Sequence, residues 1–107
     1  MTTDPRRRKG DWAVNAELLR EEIDAIWPVR VHISSAYHDI DKKRQIWVVT
    51  ATAVFTPPLQ GYPHSINTLV PVDRQFLTPY DRAQYFALYQ LWVALDALNV
   101  PLRQRPQ

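Results

Sequence analysis

"VRVHISSAYHDIDKKRQIWVVTATAVFT", residues 29–56, is the stretch that decides the fold, because two strand-like runs lie on either side of one charged segment. In the first run Val29 and Val31 alternate with Arg30 and His32, the period of two that is typical of a strand with one buried face. The second run is rich in β-branched residues, which favour extended structure. The pattern therefore predicts an antiparallel hairpin whose tip is the charged segment between the two runs.

The two strands of this hairpin differ in how their faces are patterned. Tyr37 continues the apolar face of the first strand, whose other face is polar. The second strand has apolar side chains on both faces, with Val48 on one and Trp47 and Val49 on the other. We expect the second strand to be central in a sheet and its outer face to be partly covered.

A helix precedes the hairpin and is predicted to run from about Trp12 to Trp27. Asp11 is placed to cap it, and Pro28 ends it because the residue before a proline is driven out of the helical region. The opposite side of this helix is mostly acidic, so the helix is expected to dock on the core through one face. That apolar stripe consists of Trp12, Ala16, Leu19, Ile23, Ile26 and Trp27.

A third strand is predicted after the hairpin, at residues 65–72 (SINTLVPV). Pro71 cannot donate a hydrogen bond to a strand ladder, so this strand is expected at an edge of the sheet. The segment before it, residues 57–65, holds three prolines and a glycine. Such a composition predicts a stiff loop that is too long for a tight turn.

A second helix is predicted over residues 79–101, "PYDRAQYFALYQLWVALDALNVP". Thr78 is expected at its N-cap and Pro79 at its first helical position, and Asn99 and Pro101 close it. The full order is α-β-β-β-α. We expect an α+β fold, a three-stranded antiparallel meander with two helices packed on one face, in a single domain of residues 11–102.

The charges of the 107-residue chain are divided between its ends and its body. Residues 1–10, a basic N-terminal arm, have a net charge of +3, and residues 103–107, a short basic tail, add +2. The body has seven basic and ten acidic residues, a net charge of −3. The basic pI of about 9.2 therefore comes from the ends.

The cysteine content and the hydropathy indicate the cell compartment in which the protein is expected. The chain contains no cysteine, so neither a disulfide framework nor a thiolate metal site can form. Gly10 and Asp11 follow the first basic cluster where a signal peptide would have an apolar stretch. No apolar run reaches about 18 residues, the length that a membrane span needs. We expect a cytoplasmic protein without a membrane contact.

The second helix has apolar or aromatic side chains on nearly every side. One side is expected to be core and comprises Ala87, Leu88, Leu91, Ala94, Leu95 and Leu98. The other side is predicted to be a protein interface, because tyrosine, tryptophan and arginine are common in binding hot spots. This interface comprises Arg82, Tyr85, Phe86, Tyr89, Trp92, Val93 and Asp96. Its cover is either a second copy of the chain, which we expect, or the first helix and the proline-rich loop.

Basic residues in the arm and at the hairpin tip support an alternative, a nucleic-acid-associated protein that contacts phosphates. They are Arg6, Arg7, Arg8, Lys9, Lys42, Lys43 and Arg44. The α-β-β-β-α order is also the topology of double-stranded RNA-binding modules. Those modules have a basic start to the last helix, whereas here the helix opens "TPYDRAQ" with an acid and one arginine. We expect such binding to be weak.

No residue pattern predicts catalysis or a cofactor. His32 and His38 are about 20 Å apart along a strand, too far to share one metal ion, and Asp39 and Asp41 are expected to be surface groups. No serine lies in a glycine-flanked elbow, and two glycines are too few for a phosphate-cradling loop. The chain is expected to be non-catalytic, with no cofactor and no metal.

The proline-rich loop is open to two interpretations. Gln60, Tyr62 and His64 could present a rigid recognition tip, because prolines reduce the entropy lost on binding. The loop could equally pack over the open end of the core. Taken together, the sequence predicts a small non-catalytic accessory protein of assembly or inhibitor type, which binds another protein and forms a homodimer.

Overall fold

The fold was obtained as a computed structural model, which describes residues 11–41 and 44–103. Its elements, in chain order, are α1 (Trp12–Ile26), β1 (Val29–Asp41), β2 (Arg44–Phe55), β3 (Ser65–Pro71) and α2 (Pro79–Ala97). α1 packs against β1 and α2, and α2 packs against β2 and β3. The predicted α+β fold, with two helices on one face of a three-stranded sheet, is confirmed.

The sheet has the strand order β1-β2-β3, with both neighbouring pairs antiparallel. β2 is therefore central and β3 lies at an edge, as predicted. β1 is longer than expected, because His38 and Asp39 still pair with β2, opposite Ile46 and Gln45. These polar residues were expected to form part of the connection between the two strands. Their pairing with β2 outweighs their low preference for strands.

The ends of α1 follow the predicted local chemistry. The Asp11 carboxylate accepts a hydrogen bond from the Val14 backbone N–H at 3.2 Å, which satisfies one of the free donors of the first turn. The backbone of Trp27, before Pro28, is extended, with φ −116° and ψ 152°. The helix therefore ends at Ile26, one residue earlier than the sequence suggested.

Thr78 occupies the predicted N-cap position of α2 but does not cap it with its side chain. Its backbone is left-handed, with φ 47° and ψ 56°, and its hydroxyl donates to the Leu77 carbonyl at 2.8 Å instead. A first turn with no side-chain cap still benefits from Pro79, which has no N–H to satisfy. Asp81 adds a negative charge near the positive end of the helix dipole.

The C-terminus of α2 closes through Asn99, as predicted. Asn99 has a positive φ of 54°, its N–H donates to the Asp96 carbonyl, and the Val100 N–H donates to the Leu95 carbonyl. This pair of bonds is the Schellman arrangement that ends many helices. It turns the chain back toward the core, where Val100 is buried.

The core lies between the helices and the inner face of the sheet. Ala51 and Ala53 of β2 are fully buried beneath α2, whose Leu88, Leu91 and Leu95 are also fully buried. The predicted core stripe of α2 is wrong at Leu98, which is 46% exposed, and Ala94 is only half-buried. The reason is the turn at the helix end, because Val100 supplies the apolar group there.

The outer face of β2 is partly covered, as predicted, but by its own sheet. Val48 is 5% exposed and lies between its cross-strand partners Ala36 and Pro71. Thr50 and Thr52 on the same face are half-buried. Over residues 11–41 and 44–103, the packing found between elements puts both helices on the opposite face.

Two arginine side chains donate hydrogen bonds to the backbone at the start of β1. Arg20 of α1 donates to the Val31 carbonyl at 3.2 Å, and Arg103 donates to the Val29 carbonyl at 3.4 Å. Arg103 also donates to the Asp24 carbonyl, so the chain after α2 is fixed against the end of α1. Among the residues described, no helix has the length and apolar character needed to cross a membrane.

Candidate functional site

The two helices lie side by side and run in the same direction. Trp12, at the start of α1, contacts Tyr85 and Phe86 at ring-centroid distances of 5.4 and 5.5 Å. Trp27, just after α1, meets the ring of Trp92 edge-on at 5.7 Å. Bulky tryptophans at both ends of the α1 stripe therefore half-bury three of the predicted interface residues within the monomer.

Arg82 is enclosed by aromatic rings near the start of α2. Its guanidinium carbon lies 3.8 Å from the ring centre of Phe76, 4.7 Å from that of Phe86 and 5.9 Å from that of Trp12. Each contact is attractive because the ring faces are electron-rich, and partial burial strengthens the attraction. The side chain is thus held in one position on the surface.

A strip on α2 remains uncovered. Tyr89 is 51% exposed and Val93, one turn further along, is 45% exposed. We call these two residues the α2 strip. Tyr89 stacks on Tyr85 at 6.4 Å, so the strip is continuous with the ring cluster around Arg82. Asp96, the last of the predicted interface residues, is exposed beyond the strip.

Two more exposed apolar residues lie next to this cluster, just before α2. Phe76, which contacts Arg82, is 45% exposed, and Leu77 is 89% exposed. The sequence did not single them out, because a short connection gives no periodic signal. Phe76 is connected to the α2 strip through Arg82 and the rings of Phe86 and Tyr85, and Leu77 is the next residue along the chain. Both are exposed, as the α2 strip is.

The proline-rich loop packs over the core at Phe55 through Tyr62. The Tyr62 ring lies 5.9 Å from that of Phe55, and its hydroxyl donates to the Asn99 carbonyl at 3.0 Å. Gly61, with φ 88°, allows the turn that brings Tyr62 inward. Gln60 and His64 point to solvent and remain available for recognition.

The residues of the nucleic-acid alternative are mostly outside the described part of the chain. This applies to Arg6, Arg7, Arg8, Lys9, Lys42 and Lys43. Arg44 is exposed at the start of β2, where it pairs with Asp41 in the strand register. The predicted phosphate contacts therefore stay a prediction.

The histidines lie on the outer face of the sheet. His32 is opposite Thr52 and His38 opposite Ile46, and both imidazoles are exposed. Within residues 11–41 and 44–103, no three His, Cys, Asp or Glu side chains come together in a way that would hold a metal ion.

An aromatic groove near the hairpin end was missed by sequence reasoning. It has a volume of about 260 Å³. Its lining residues are Tyr37, Trp47, Val72, Arg74, Pro79 and Tyr80. Alternation placed Tyr37 on the apolar face of β1 and Trp47 on the same face as Val49, but it did not indicate that the helices end before they cover these rings.

A second concavity, of about 300 Å³, lies beside the start of β1. Arg20, Arg30 and Arg103 line it together with Asp24. Arg20 and Arg103 use part of their hydrogen-bonding capacity on the backbone of β1. These two arginines therefore line the concavity because they hold α1 and the segment after α2 against β1.

No family model, no curated protein and no solved structure matches this chain. Function is therefore argued from the surfaces described above.

Proposed function

We propose that the protein is a small, non-catalytic binding protein of assembly or inhibitor type that self-associates through the surface around the α2 strip. The observation that carries the proposal is the exposure of Tyr89 and Val93 on a helix whose Tyr85, Phe86 and Trp92 are half-buried. A tyrosine and an aliphatic residue beside a fixed arginine match the composition of binding hot spots.

The magnitude of the burial argues for a surface larger than the α2 strip. Half of the roughly 150–250 Å² of a tyrosine, at about 25 cal/mol per Å², gives about 2.5 kcal/mol for Tyr89. Two copies of Tyr89 therefore contribute about 5 kcal/mol to a dimer, whereas association costs about 4–15 kcal/mol in lost freedom. Phe76 and Leu77 are therefore needed in the same interface, and the dimer is expected to be weak and concentration-dependent.

A two-fold arrangement suits this surface. Around a two-fold axis the same patch meets itself, so Tyr89 would pack beside its own symmetry mate. Arg82 and Asp96 are 14 residues apart on α2, about 21 Å along the axis. In an antiparallel pair of helices each would therefore lie near the opposite charge of the other copy.

The test is the molar mass in solution, measured by light scattering over a range of protein concentrations. The wild type is expected to shift from monomer to dimer as its concentration rises. The double variant Tyr89→Glu, Val93→Glu should stay monomeric, because it places charge on the contact surface, and its circular dichroism should be unchanged. Trp92 is left intact, since it packs against Trp27 and its loss would disturb the fold.

Ala25→Glu is the control, since it adds a negative charge, one where the double variant adds two, at an exposed position of α1. It should dimerise like the wild type. A wild type that stays monomeric at every concentration, or a control that dissociates as readily as the double variant, would refute self-association through this surface.

A further inference from the structure

The groove near the hairpin exists because the sheet is longer than the layer that covers it. β1 has 13 residues and so spans about 43 Å, whereas the 19 residues of α2 span about 28 Å. The inner face of the sheet therefore continues past the start of α2 at Pro79. Tyr37 and Trp47 lie on that continuation, where α2 contributes only Pro79 and Tyr80 of its first turn among the described residues that line the groove.

The walls of the groove are aromatic and firmly placed. Tyr37 and Trp47 are cross-strand partners, and their rings meet edge to face at 4.4 Å. The Val72 N–H donates to the Trp47 carbonyl at 2.8 Å, which fixes the third side. Tyr80, in the first turn of α2, is 40% exposed, and Tyr37 is 54% exposed. A ligand would meet a surface that needs little ordering.

The polar groups of the groove are hydrogen-bond donors without partners. In the part of the chain that the structure describes, the hydroxyls of Tyr37 and Tyr80 and the Trp47 indole N–H make no hydrogen bond. Arg74 is the one charged side chain among the described lining residues, and no described ion pair or hydrogen bond engages its guanidinium. The nearby Asp73 carboxylate already accepts from the Gln75 N–H.

We propose that this groove binds a proline-rich, extended segment of a partner protein that carries an acidic residue beside its prolines. A polyproline II segment has no internal hydrogen bonds, so its carbonyls are free acceptors, and its prolines bring no N–H that would need an acceptor. Proline rings pack on flat aromatic faces, as in other peptide-binding grooves. The aromatic rings of the groove therefore match the prolines of such a segment, and its free donors match the carbonyls.

The charge and the volume of the groove favour this ligand over a nucleic-acid strand and over an enclosed small molecule. Arg74 complements one carboxylate, whereas a nucleic-acid strand would bring a phosphate at every nucleotide. The volume of about 260 Å³ is below the roughly 300–1,000 Å³ of pockets that enclose small molecules.

The inference is independent of self-association, because the groove and the α2 strip share no residue. The probe is a capped hexapeptide of four prolines flanked by two glutamates. Binding is followed by the NMR shift of the Trp47 indole N–H, assigned by comparison with Trp47→Phe. We expect a saturable shift that is much weaker for the same peptide with alanine in place of proline, and weaker with lysine in place of glutamate.

Conservative variants test the contacts without disturbing the fold. Tyr80→Phe removes one donor and should weaken binding of the probe about three- to tenfold, the effect of one hydrogen bond. Arg74→Ala should remove the preference for glutamate over lysine. Tyr89→Phe, which removes a hydroxyl from the α2 strip, is the matched control and should bind the probe like the wild type, whatever its oligomeric state.

Three outcomes would overturn the proposal. They are no shift of the Trp47 indole N–H at saturating probe, equal binding of the alanine peptide, and tighter binding of a single-stranded oligonucleotide to the same rings. A loss of binding in Tyr89→Phe equal to that in Tyr80→Phe would also refute it, because the effect would then not come from the groove.

Discussion

The inner face of the sheet has a closed end and an open end, built on the same two strands. At the closed end, under α2, Ala51 and Ala53 are 0% exposed and Phe55 is 1% exposed. At the open end, past the start of α2, Tyr37 is 54% exposed and Trp47 is half-buried. The alternation is identical at both ends. The two ends differ in whether α2 lies above the strands.

This difference shows how the choice of strand residues depends on whether a helix covers them. Interiors are packed to a nearly constant density, so small strand residues are needed wherever helix leucines project toward the sheet. Where the helices end, large rings in the strands can shield each other, as the edge-to-face contact of Tyr37 and Trp47 does. Alternation thus indicates the face of a residue, but it does not indicate whether another layer lies above it, since the large Phe55 ring is buried as well.

The closed end should respond most strongly to loss of volume. Leu91 is fully buried on α2, and Leu91→Ala is expected to reduce the free energy of unfolding by about 2–5 kcal/mol through lost burial and a residual cavity. Leu69→Ala, at a half-exposed leucine on the outer face of β3, is the control and should cost much less. Denaturant unfolding measures both, and equal losses would contradict the assignment of the core.

The closed end should also resist added volume. Ala51→Leu is expected to destabilise the fold by about 1–3 kcal/mol, because the space above Ala51 is filled by α2. Ala36→Leu makes the same change on the exposed outer face of β1 and should be nearly neutral. If thermal unfolding shows that Ala51→Leu is neutral as well, the distance between helix and sheet is larger than described.

The open end should be the most tolerant. Tyr37→Ala is expected to cost about 1–3 kcal/mol, from the half-buried ring and its pair with Trp47. Phe55→Ala, on the same face at the closed end, should cost about 3–5 kcal/mol. Denaturant unfolding of the two variants compares the ends directly, and similar losses would show that the open end is covered in solution.

The sequence was sufficient for those features that depend on local chemistry. The Asp11 cap, the stop before Pro28 and the turn at Asn99 each follow from one residue and its neighbours, and all three are confirmed. The face assignments of β1 and β2 are confirmed for the same reason, since a strand has a period of two.

Features that depend on how far one element extends over another were missed. Leu98 continues the helical stripe but projects past the core, because Val100 returns there after the turn. The coverage of Tyr85 by Trp12 depends on the direction of α1, which periodicity does not specify. The groove was missed for the same reason, since neither Tyr37 nor Tyr80 signals it alone.

The arginine contacts at the start of β1 have a consequence for aggregation. β1 is a long edge strand without proline, a type of edge that readily templates the addition of a foreign strand. The carbonyls of Val29 and Val31, which face away from β2, already accept hydrogen bonds from Arg103 and Arg20. A strand adding at this end would first have to displace two charged side chains, so cross-β growth is hindered where the edge begins.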